Sequence, residues 1–142
     1  MEMLDNKLIL DIPKGMEVDV EKSDLKAGVI KLRKKEICYA DVLSTLADKD
    51  IYPAEIKVPN LFAGKIIALA RLMTIAKYYN GDWKPDWNSH EYKHNIMRTS
   101  EYGITSCGSY NEGAIYFKNK EDAQAVIDNP NFRSILDEIY KD

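Results

Sequence analysis

The sequence lacks every short motif that by itself names a reaction. It has no Gly-rich phosphate loop, no HExxH pair and no GxSxG turn, and its many carboxylates form no recognisable acid–base pair. Cysteine is scarce. Cys38 and Cys107 lie far apart with no CxxC pair, which fits free thiols in a cytosolic protein better than one disulfide in an exported one. No stretch reaches the ~18 consecutive apolar residues that span a bilayer, because Lys65, Arg71 and Lys77 interrupt the longest run. The opening MEMLDNKLILDIP has no basic region followed by an apolar one, so no secretory signal is expected and cytoplasmic placement follows. Neither sign of charge dominates: the net charge is −3 with acids and bases well mixed. This argues against a whole-surface field for nucleic acid and leaves a local patch open.

What is present suits a packed protein. An apolar share of 45% in 142 residues can enclose a hydrophobic core, and with neither repeats nor low-complexity tracts residues 1–142 read as a compact single domain. Leu8, Leu10 and Ile12 alternate at period two, Pro13-Lys14-Gly15 has the chemistry of a turn, and Gly28 to Arg33 alternates again. An N-terminal strand pair is expected. Tyr39, Val42, Leu43 and Leu46 predict a short helix over 39–47, ended by Asp48-Lys49-Asp50, and Pro53 and Pro59 then keep the chain extended.

The stretch Asn60 to Trp87 organises the rest. Asn60 is placed to cap a long helix, and Asn80-Gly81 to stop it. Phe62, Ile66, Leu69, Met73 and Ala76 make one stripe, widened by Leu72 and Tyr79, and Ile67 and Ile75 add apolar surface elsewhere, which predicts a central core helix covered on more than one side. Tyr92 to Arg98, Tyr102 to Ser106 and Ala114 to Phe117 read as an antiparallel meander of two or three strands, with a turn at Ser109 to Glu112. Two helices close the chain, one capped by Asn119, the other started by Asn129-Pro130 with the stripe Phe132, Ile135, Leu136, Ile139 and Tyr140. The fold class is α+β.

The candidate binding residues cluster after the long helix. Tyr78, Trp83, Trp87 and Tyr92, with Asp82 and Lys84 interleaved, could wall a stacking site or pin the helix exit over the core, since Trp and Tyr are apolar at one end and polar at the other. Lys31, Arg33, Lys34 and Lys35 form the one basic run, suited to phosphate or to the wet end of an edge strand. His90 and His94 with the two cysteines make a nominal metal set, but the spacing is not that of a zinc module, so no metal or other cofactor is expected. Cys107 would be a nucleophile only if His90 or His94 came within hydrogen-bond reach.

The segment Tyr78-Tyr79-Asn80-Gly81-Asp82-Trp83-Lys84-Pro85-Asp86-Trp87 resembles a group of functionally uncharacterised small proteins of gut bacteria and their phages or prophages. These share a long apolar helix running into a YYNxxWxPDW-type segment. The Phe117-Lys118-Asn119-Lys120-Glu121 helix start and the Ile12 to Gly15 turn match as well. The resemblance implies an intracellular accessory protein of mobile-element origin and assigns no catalytic residue. The expected function is therefore a non-catalytic interaction protein with an unknown protein partner and no membrane association. The alternatives are a nucleic-acid-associated accessory protein and a small Cys/His hydrolase.

Overall fold

A computed structural model describes residues 2–4, 7–13, 15–46, 51–109, 111 and 115–141, and shows an α+β protein. The expected end of the first helix at 47–50, Lys14 of the N-terminal turn, and Tyr110 and 112–114 of the second turn lie outside these residues. The chain divides into two compact units, Met1–Glu36 and Ile37–Asp142.

The first unit is built from two antiparallel pairs. Strand β1 (Glu2–Leu4) pairs with β2 (Lys7–Ile9), and β3 (Met16–Val18) with β4 (Leu32–Lys34) in the register Met16↔Lys34, Glu17↔Arg33 and Val18↔Leu32. The Met16 amide donates to the Pro13 carbonyl at 3.1 Å across the anticipated turn. The expected strand at 28–33 is displaced toward its C-terminal end. Asp24 bridges Val29, and its carboxylate accepts from the Lys26 and Ala27 amides, so a tight Asx-type turn consumes residues 24–29.

The second unit holds the helices. Helix α1 (Tyr39–Leu46) starts where the Cys38 amide donates to the Asp41 carboxylate at 2.9 Å, the return bond of a capping box. Helix α2 (Asn60–Asn80) follows. Asn60 does not cap it: Pro59 occupies that position, and no side chain accepts a first-turn amide. The helix stops at Gly81, whose φ of +60° suits a residue without Cβ and whose amide bonds the Lys77 carbonyl. Strands β5 (Lys93–Arg98) and β6 (Tyr102–Cys107) form a hairpin from Lys93↔Cys107 to Arg98↔Tyr102. The third expected run is reduced to a single bridge, His94↔Phe117. Helix α3 (Lys120–Asp128), a 3-10 turn (Pro130–Phe132) and α4 (Arg133–Tyr140) complete the unit. Asn119 does not accept an amide at the start of α3, whereas Asn129 accepts from the Asn131 amide with Pro130 first in the turn.

The core joins Leu72 and Ile75 of α2 to Val42, Ile96, Phe117, Val126, Phe132, Ile135 and Leu136. Residues 116–118 hold this cluster together. The Phe117 amide and carbonyl bond His94, while on the other side Asn80 donates to the Tyr116 carbonyl at 2.8 Å and accepts from the Lys118 amide at 2.9 Å. One asparagine side chain thus stands in for a second neighbouring strand, and Phe117 is driven fully inside. At the opposite end Tyr102 donates to Asp137 at 2.6 Å and Tyr140 to the Ile96 carbonyl, tying the hairpin to α4. Burial and the bond to Asp137 push the Tyr102 phenol up to about 12.

The stripe expected to be buried on α2 is only partly so. Ala76 and the adjoining Leu72 face inward together with Ala68 and Ile75, whereas Phe62 is 50% and Met73 60% exposed. The placement of the neighbours explains the difference: α1 and α4 both pack on α2, with Glu138 of α4 against Gly64, and the arc that faces them is the buried one. Asn80→Ala removes both bonds to 116–118 and, despite alanine's better helix propensity, is expected to destabilise the protein by about 1–3 kcal/mol in urea unfolding.

Candidate interaction site

The aromatic segment folds as a loop fixed at several points. Lys77 Nζ donates to the Gly81 carbonyl at 2.8 Å and lies 3.4 Å from the Asp82 carboxylate, and the Trp83 amide donates to the Asn80 carbonyl. The Asp86 carboxylate accepts the Asn88 amide at 2.9 Å, and the Ser89 hydroxyl accepts the Glu91 amide. These are the local bonds that Asp and Ser offer a backbone with no regular partner.

Beneath the loop lies Lys93, only 1% exposed. Its Nζ donates to the Ser89 and Gly108 carbonyls, each at 2.9 Å, and sits 4.9 Å from the centre of the Trp87 ring. A buried lysine costs free energy unless its donors are satisfied, and here two carbonyls and the indole face do so. Trp87 meets Tyr116 edge-on at 5.0 Å. Gly108 is required at the contact, because a Cβ there would come within 2.9 Å of the His90 carbonyl oxygen.

The six residues picked from the sequence therefore separate. Trp87 is committed to the Lys93 clamp, and Tyr78 stacks edge-on against Tyr79 at 5.1 Å. Trp83 is half-buried, whereas Asp82, Lys84 and Tyr92 face outward, Tyr92 being 65% exposed. In the first unit Arg33 donates to Glu17 at 2.7 Å, which offsets the centre of the basic run, while Lys31 and Lys34 are exposed. Lys93 had no sequence signal. It reads as one more polar residue of an alternating strand.

His94 does not join Cys107. Cross-strand pairing sets Cys107 beside Lys93 and His94 beside Ser106, and successive strand residues point to opposite faces, so Cys107 and His94 project apart. His94 Nδ1 lies 2.6 Å from the Ser106 hydroxyl, and burial, followed by the charge of Lys120, lowers its pKa below the ordinary histidine value. Among the described residues no three His, Cys, Asp or Glu side chains group as metal ligands, and no helix is long and apolar enough to cross a membrane. A shallow cleft of about 420 Å³ lies between Arg98, Thr99, Tyr140 and Lys141.

Helix α2 also leaves apolar side chains in solvent: Phe62, Leu69 and Met73 share one outer arc of about 40°, while Leu61 and Ile67 are exposed elsewhere around the helix and Tyr52 and Ile56 are exposed upstream in sequence. Monomeric proteins seldom leave a helix face this apolar uncovered, so the arc joins the loop as a candidate contact surface. For the loop, Lys93→Met leaves the Ser89 and Gly108 carbonyls without their donor. It is expected to cost about 1–3 kcal/mol in chemical denaturation and to red-shift tryptophan emission as Trp87 loosens. An unchanged curve and spectrum would show that Tyr116 alone holds the ring. Compared with protein-family models, curated proteins and solved structures, the chain matches none.

Proposed function

We propose that the protein is a non-catalytic interaction protein, working in the cytoplasm as an accessory of phage or mobile-element origin. The observation that carries this reading is the uncovered arc of α2: Phe62, Leu69 and Met73 remain exposed on a helix whose other arc builds the core. Each is already partly buried, so covering what remains exposed adds roughly 1 kcal/mol per side chain, and a partner that covers all three gains from their sum. The fixed loop supplies a second, smaller surface in Trp83, Lys84 and Tyr92, held in place before any partner arrives, which lowers the entropic cost of binding. The likeness of Tyr78 to Trp87 to proteins of gut bacteria and their phages supports the proposed setting. The basic run supports a nucleic-acid role less well, because Glu17 already binds Arg33.

A photo-crosslinking amino acid placed at position 73, and in a second variant at 83, tests this inside a gut bacterium carrying the gene. A discrete protein adduct from either position, absent when the group is moved to exposed Gln124 on α3, is the expected result. Adducts of equal yield and pattern from all three positions, or none, would contradict the reading.

A further inference from the structure

We infer that the occupant of the outer arc of α2 is a second copy of this chain, with the two α2 helices packed antiparallel about a two-fold axis near residues 67 and 68. The inference rests on the reading of that arc as an interaction surface and names its partner.

The spacing of the apolar residues carries the argument. Phe62, Ile66, Leu69 and Met73 follow intervals of four, three and four residues, and at 3.6 residues per turn they fall within an arc of ~60°. These are the intervals of a helix-pairing seam. They also read the same from either end. An antiparallel two-fold therefore sets Phe62 against the partner's Met73 and Ile66 against the partner's Leu69, each apolar side chain meeting another, as a self-complementary interface requires.

Charge selects the same arrangement. Helix α2 carries Lys65, Arg71 and Lys77 and no acidic residue. A parallel pair in register would place Lys65 and Lys77 beside their own copies. In the antiparallel pair Lys65 falls opposite the partner's Ala70, and Lys77, already bound to the Gly81 carbonyl and Asp82, passes beyond the start of the partner's helix. Arg71 is turned away, its guanidinium 5.5 Å above the Tyr39 ring. The seam itself is free of charge, as the cores of homodimer interfaces tend to be. Ala63 and Ala70 beside it are small enough for close approach.

Sedimentation velocity across a concentration series tests the inference. The wild-type chain is expected to sediment at twice the chain mass. Leu69→Glu/Met73→Glu is expected to lose the dimer while keeping its helical circular dichroism, since both side chains lie outside the core. Orientation is read in a Cys38→Ser background, where a mixture of Phe62→Cys and Met73→Cys chains should form an oxidative cross-link that Met73→Cys alone does not. In the antiparallel pair the two 73 positions lie ~16 Å apart along the axis. A wild-type monomer at every concentration overturns the inference, and a Met73→Cys self-cross-link overturns its antiparallel geometry. If the wild type is monomeric but a crosslinker at position 73 captures a different protein, self-pairing fails and the interaction reading stands. A monomer that captures nothing removes both.

Discussion

The second unit depends on how residues 116–118 are held. A three-residue segment cannot form a sheet by itself, yet Phe117 sits fully buried at the centre of the core. Its backbone is satisfied from both sides, by His94 of the hairpin and by the side chain of Asn80 at the end of α2. A buried backbone left unpaired would cost on the order of the bonds it lost, so the Asn80 clasp and the β5 bridge are jointly required to carry Phe117 inside. The clasp fixes where α2 ends relative to the hairpin. The loop between them, Gly81 to Tyr92, must close that gap, and the Lys93 contacts with Ser89, Gly108 and Trp87 hold it closed.

From this follows the asymmetry of α2. Its C-terminal end is tied through Asn80 to residues 116–118 and α4 packs along it, with Glu138 against Gly64, which sets the arc containing Ala68, Leu72, Ile75 and Ala76 inward. The helix carries more apolar side chains than that arc holds. A helix can be apolar around much of its circumference because it is a buried core element, or because one arc serves the fold and another serves an interface. Phe62 and Met73 are at least half exposed, so burial within the fold accounts for only part of the apolar surface of α2.

Much of the fold could be read from the residues. Gly81 stops α2, Asn129-Pro130 starts the last helical segment, and the alternation after Tyr92 makes a hairpin, because each signal is local and set by backbone sterics or a short-range bond. What could not be read was non-local. Periodicity placed Phe62, Leu69 and Met73 on one stripe but could not say which of two apolar arcs the shorter neighbours would cover. Asn80 looked like a helix stop, and its side-chain bonds to residues 36 and 38 positions away left no trace in the local pattern. Lys93 was hidden for the same reason: its acceptors are carbonyls, which every residue has. Of the aromatic segment the sequence showed the cluster but not its division into a committed Trp87 and an outward Tyr92.

The central claim is that adjacent residues of α2 serve different ends, Leu72 the fold and Met73 the surface. The most direct test is a pair of urea-unfolding curves for Leu72→Ala and Met73→Ala, followed by tryptophan fluorescence at high dilution. Leu72 is 3% exposed and should cost about 2–5 kcal/mol on truncation, whereas Met73, at 60%, should change stability by no more than about 0.5 kcal/mol. Equal losses from the two substitutions would contradict the account.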